Sequence, residues 1–160
     1  MTPITIALLD ATSQAARKAP RRRMNHNFHE RPAHPCNRLL NAIEPESYVR
    51  PHRHSGADKD ETMIVLRGRL GLIVFDDHGE IIAARELLPG GEAFGATLAA
   101  GEWHTVVALE AGTVFFEAKA GPYLPLTPQE FASWAPEEGA SEVAGLLQTW
   151  QTHFAVPFKA

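Results

Sequence analysis

Cysteine is nearly absent. Cys36 stands alone, so no disulfide can close within the chain, and nothing points to the stapled framework of small secreted domains. A lone cysteine of this kind reads as a small buried hydrophobe. Long apolar runs are missing too. No stretch approaches the ~18 residues of a membrane-spanning helix, so no membrane span is expected. "ITIALL" near the start is too short for a secretory core, lacks a basic flank, and meets Asp10 soon afterwards. A cytoplasmic protein is the expectation. Aromatics are scarce around the one basic run, "RKAPRRR" (Arg17 to Arg23). Residues 1–53 carry nine Lys/Arg against four Asp/Glu, yet the whole chain has a net charge of −4. The run therefore reads as a helix end, where cations offset the dipole, and no nucleic-acid partner is expected.

Turn formers are plentiful: 12 Gly and 12 Pro in 160 residues. They punctuate a β-rich chain. Residues 5–19 have helical spacing and stop at Pro20. Short extended pieces follow, broken by Pro32 and Pro35. From Ser47 to Lys119 come seven short strands, "SYVRPHRH", "ETMIVLRG", "LGLIVFD", "IIAARELL", "AFGATLA", "HTVVALE" and "TVFFEAK". No helix intervenes, so an antiparallel barrel or sandwich is predicted. "SEVAGLLQTWQTHF" returns to helical spacing. The expected organisation is an N-terminal helix and basic segment (1–24), a barrel (25–125) and a C-terminal helical extension (126–160).

The chemistry concentrates in "YVRPHRHSGADKDETMIVLRG". Strand alternation would place Tyr48, Arg50, His52 and His54 on one face. Two imidazoles at i and i+2 can converge on one metal ion. Glu61 opens the next strand, and His104 opens another far downstream. Other alternating stretches add candidates. "NHNFH" puts Asn25, Asn27 and His29 on one face, either a ligand-facing wall or a solvent-facing edge. Arg50, and less so Arg38, could clamp an anionic group with its planar fork, or make a surface salt bridge. Glu117 is either a general acid or base, or a solvated strand-end carboxylate. Tyr123, after the turn at Gly121 and Pro122, either folds over the barrel mouth or packs.

"PHRHSGADKDETMIVLRG" resembles the first cupin motif, and "AAGEWH" resembles the second. The resemblance implies a cupin double-stranded β-helix (jelly-roll) barrel, mainly β, flanked by a short N-terminal and a C-terminal helix. It implies one divalent metal ion (zinc, iron, nickel or manganese) held by His52, His54, Glu61 and His104. The gap between the histidine pair and Glu61 is six residues where cupins usually have three or four, so Asp58 is a rival carboxylate. Ala99 and Ala108 replace the Pro and Asn usual in the second motif. "RRRMNHNFH", "CNRLLNAIEPESYVRPHRH", "EWHTVVALEAGTVFFEAKAGPY" and "FASWAPEE" together resemble WbuC-type cupin metalloproteins. That likeness implies that Asn27 and His29 face the cavity. It also implies a small-molecule ligand and an association with surface-polysaccharide (O-antigen) synthesis. Two functions follow as expectations: a metal-dependent enzyme acting on a small sugar-like or sugar-nucleotide-like substrate, or a non-catalytic ligand-binding module. Homodimerisation through sheet edges is compatible with the fold by analogy.

Overall fold

The computed structural model describes residues 1–154. Helix α1 (Ile6–Lys18) is followed by eight strands: β1 (Arg23–Asn27), β2 (Cys36–Ile43), β3 (Glu61–Arg67), β4 (Leu70–Phe75), β5 (Ile81–Leu87), β6 (Gly95–Leu98), β7 (Trp103–Ala108) and β8 (Thr113–Ala120). Helix α2 (Val143–His153) comes last. One antiparallel sheet has the order β1-β2-β8-β3-β6, the other β5-β4-β7. The second sheet continues past β7 through backbone bonds from residues 51–53, and past those to residues 130–132. Strands therefore alternate between the sheets as a jelly roll does: β2, β3, β6 and β8 in one, 51–53, β4, β5 and β7 in the other. The fold class is the expected one.

Each layer follows from its apolar pattern. Thr5 caps α1 by accepting a hydrogen bond from Leu8 N (3.2 Å), and Arg17 and Lys18 sit in the last turn, where the dipole favours cations. Its buried stripe of Leu9, Thr12, Ser13 and Ala16 lies on the outer face of β2 and β8, against Leu40, Ala42 and Val114. Between the sheets, Met63, Val65 and Phe115 meet Leu72, Leu87 and Val106. Outside the second sheet, Ile73, Phe75 and Val107 are covered by Leu147 and Trp150 of α2. Because both its faces are covered, β4 reads as the unbroken apolar run "LGLIVF". Gly68 turns β3 into β4 at φ +77, where an added Cβ would come within 2.8 Å of the Thr113 backbone.

Three expectations change. Cys36 is exposed at the head of β2, not buried. "SYVRPHRH" forms no full strand; only His52 bridges, to His104 and Phe131. β2 is a full strand of eight residues where only broken extended pieces were expected. The basic run is met by carboxylates: Arg17 by Glu44, Arg21 and Arg23 by Glu138, and Arg22 by Glu46. The last six residues of the expected C-terminal extension, 155–160, lie outside the described residues.

Trp150 is 4% exposed and stacks on Tyr48, with ring centroids 5.8 Å apart. Trp150→Ala is expected to destabilise the fold by about 3–5 kcal/mol in urea unfolding. Metal uptake per folded molecule should be unchanged, because the tryptophan lies on the opposite side of the second sheet from the imidazoles.

Candidate metal centre

The histidine pair is placed by backbone hydrogen bonds on both of its flanks. On one side His52 N donates to His104 O (3.0 Å) and His104 N donates to His52 O (2.9 Å). On the other, Arg53 N donates to Glu130 O and Ala132 N to Pro51 O, both 2.9 Å. The result gathers three imidazoles whose ligand atoms lie within 4.8 Å of one another. His52 Nδ1 donates to Arg50 O (3.0 Å) and His104 Nδ1 to Glu102 O (2.9 Å). A carbonyl only accepts, so in both rings Nδ1 carries the proton and the Nε2 lone pair is left for a cation. Burial holds His52 down at about 3 and lowers His104 as well, so both rings are neutral at ordinary pH. This donor set fits a divalent ion of the zinc, iron, nickel or manganese type.

The acidic groups follow from the same sheet. Glu61 is 4% exposed; its Oε2 accepts from His54 Nε2 at 2.9 Å and lies 3.8 Å from His104 Nε2. Burial alone would raise its pKa, but the His54 hydrogen bond and the Lys119 charge bring it below the usual range. Asp58 sits in an exposed turn. Glu117 takes a hydrogen bond from Asn41 Nδ2 (2.7 Å), while Lys119 Nζ lies 2.8 Å from its other oxygen and 3.8 Å from Glu61. Burial, reinforced by the Glu61 charge, pushes Glu117 up to about 7 against the pull of Lys119. Burial works against the Lys119 charge, yet Glu117 and Glu61 outweigh it and raise the ammonium pKa.

Three cavities meet at Lys119. The first, of about 500 Å³, is lined by His52, Glu61, His104 and Glu117. The second is lined by Asn27, His29, Asn37, Asn41, Glu117 and Tyr123. The third opens beside His52, His54, Lys59 and Tyr123. Of the predicted ligand-facing residues, Asn27, His29, Glu117 and Tyr123 thus lie on these walls.

Tyr48, Arg50 and Arg38 do not. Buried Pro51 interrupts the alternation, so Val49 and His52 both point inward while Tyr48 and Arg50 point outward. The Tyr48 hydroxyl donates to Pro136 O (2.9 Å), and Arg50 Nη2 donates to Ala132 O (3.0 Å). Arg38 lies on the helix-facing side of β2, with Leu40 and Ala42. Missed from sequence were Asn37, Asn41 and Lys119, which alternate along β2 and β8 on the inner face. Asn37 is 2% exposed, and neither atom of its amide has a partner among the described residues. Leaving a buried amide unpaired costs about 1–3 kcal/mol.

A family profile described as a domain of unknown function (DUF6016) matches residues 4–87. The chain belongs to that family. No curated protein matches it in sequence. Similar solved structures include KdgF from Halomonas sp., 19% identical over 64% of this chain and 81% of that one, with a TM-score of 0.47. Another is the Bacillus subtilis oxalate decarboxylase, 16% identical over 68% of this chain and 26% of that one, TM-score 0.48. A third is the Cupin_2 domain of an XRE-family transcriptional regulator from Enterobacter cloacae, 15% identical over 63% and 98%, TM-score 0.47.

Elemental analysis of protein dialysed against zinc should find close to one ion per chain. His104→Ala should lose most of it, and Asp58→Ala should lose none. Equal zinc in His104→Ala and wild type would dissolve the site.

Acid sensitivity has a defined sign. In the unfolded chain an imidazole gains its proton below about pH 6.5. In the fold His52 resists down to about 3. The unfolded state then binds more protons, and the metal-free protein loses stability as pH falls from 6.5 towards 3. Glu117 acts in reverse: its contribution is full below 4.5 and is lost as pH rises through about 7. Subtracting a His52→Asn variant isolates the imidazole. Its urea-unfolding stability, measured with chelator between pH 6 and 4, should fall less steeply than wild type by about 1.4 kcal/mol per pH unit.

Proposed function

We propose that this protein is a metal-dependent enzyme that moves a proton on a small polar, sugar-like substrate. His52, His54 and His104 would hold the ion, with Glu61 the adjoining carboxylate. The observation that carries this reading is a cavity lined by His52 and His104, both with free Nε2 lone pairs, and by a buried carboxylate–ammonium pair, Glu117 and Lys119, with His54 completing the imidazole cluster beside it. A divalent ion bound there supplies Lewis-acid polarisation of a substrate oxygen. Glu117 is the group placed to take or return the proton: it is 7% exposed, lines the cavity, and is held by Asn41. Lys119, 2.8 Å from Glu117 and 3.8 Å from Glu61, offsets the charge of the two neighbouring carboxylates.

The WbuC-type resemblance supports a finer placement, in surface-polysaccharide (O-antigen) synthesis with a sugar or sugar-nucleotide-like substrate. Proton movement rather than hydrolysis or oxygenation is favoured because the residue beside the imidazoles is a carboxylate paired with a lysine.

Protein loaded with zinc, manganese, nickel or iron(II) is incubated with nucleotide sugars in deuterated water, and exchange is followed by NMR. Exchange should appear with at least one metal and substrate. Glu117→Gln should slow it about 10²–10⁴-fold without changing metal content. Undiminished exchange in Glu117→Gln would remove the proposed role. No exchange with any metal, together with unfolding of His104→Ala, is the outcome expected of the non-catalytic ligand-binding alternative.

A further inference from the structure

Strand pairing lays the inner wall out in rows. Asn37 stands opposite Lys119, and Lys119 opposite Glu61. In the next row Asn27 faces Leu39, Leu39 faces Glu117, and Glu117 faces Met63. In the third, Asn25 faces Asn41. Four asparagines from two adjacent strands therefore line the second cavity, beside the imidazole cluster. Asn41 is bonded to Glu117, and Asn25 Nδ2 donates to Asn27 Oδ1 at 2.8 Å. Asn37 is different: it is buried, lines two of the cavities, and neither its oxygen nor its nitrogen has a partner among the described residues.

A carboxamide offers a donor and an acceptor side by side, and a buried one wants both used. A hydroxyl, or a pair of neighbouring hydroxyls, answers both at once. A carboxylate or phosphate answers only the donor and leaves the Asn37 oxygen facing another acceptor. Within the asparagine rows the cation, Lys119, is shared between Glu117 (2.8 Å) and Glu61 (3.8 Å), while Arg31 and Lys59 line the cavities away from these rows. An aliphatic ligand would leave the Asn37 amide unpaired.

We propose that the asparagine-lined inner face of β1 and β2, anchored by Asn37, is a binding subsite for an uncharged polyhydroxylated ligand, a sugar ring or an alditol, laid against the imidazole cluster. This deepens the reading of the cavity as a substrate site and rests on it. Any charged part of a larger substrate lies outside this wall.

The test measures binding rather than turnover, so its failure is separable from failure of the proposed reaction. Zinc-loaded protein is titrated with glucose, galactose, N-acetylglucosamine and sorbitol, with glucuronate and glucose 6-phosphate as anionic comparators, using saturation-transfer NMR and calorimetry. At least one neutral probe should bind, and more tightly than its anionic counterpart. Asn37→Leu should weaken that binding about tenfold or more while leaving zinc content unchanged. The same variant should unfold at an equal or higher temperature than wild type, because it removes an unpaired buried amide; a merely structural asparagine would give a lower one. Asn27→Ala, at an exposed position with no folding liability, should weaken binding several-fold. Binding by none of the neutral probes, preference for the anions, or a lower melting temperature of Asn37→Leu overturns the proposal. Turnover of a sugar with the Asn37→Leu affinity intact would overturn it too, while leaving the proposed enzyme in place.

Discussion

The reciprocal backbone hydrogen bonds between His52 and His104 are the constraint on which the site depends. They join the segment before β3 to a strand fifty residues later. His104 is also held by the ladder of β7 with β4, but the His52 segment has no ladder of its own. The segment of residues 51–53 is flanked by β7 on one side and by residues 130–132 on the other, so a stretch too short to be a strand of its own is fixed on both edges. The same bonds set which way the rings point. With each Nδ1 turned back to the carbonyl two residues earlier, the remaining nitrogens of His52 and His104 have only the cavity to face. Residues beyond the barrel thus serve the site: Glu130 and Ala132 hold the backbone that holds the imidazoles.

Much of this was legible in the sequence, and the exceptions share a cause. The barrel strands from β3 to β8 and both helices follow from apolar periodicity and turn residues, because each has one clear environment per face. The convergence of His52, His54 and His104 was readable because two imidazoles at i and i+2 have few structural uses. The faces of Tyr48 and Arg50 were misread because alternation presumes a regular strand, and Pro51 breaks it. Arg38 was misjudged, and β2 went unseen, for a second reason. "CNRLLNAI" carries a helix-covered side of Arg38, Leu40 and Ala42 and a cavity side of Asn37, Leu39, Asn41 and Ile43. Neither side is wholly apolar or wholly polar, so no period emerges. The pairing by residues 130–132 left no signal at all, since backbone bonds need no particular side chain.

The polar inner wall raises an energetic question. Glu61, Glu117, His104 and Asn37 are all buried, and each costs stability unless paired. Glu61 and Glu117 share one ammonium, and Asn37 has no partner. A barrel with such an interior needs stabilisation from elsewhere, and the apolar clusters show its source. Among the described residues one cluster lies between the sheets. The other two lie outside them, under α1 and under α2. The helices therefore do more than decorate the barrel: they move part of the hydrophobic core to its exterior. That arrangement frees one end of the interior for charged and amide groups. It also explains why Tyr48 and Trp150, remote from any ligand, matter to the site. Their burial on the outer face offsets the cost of leaving Asn37 and Glu117 poised on the inner one.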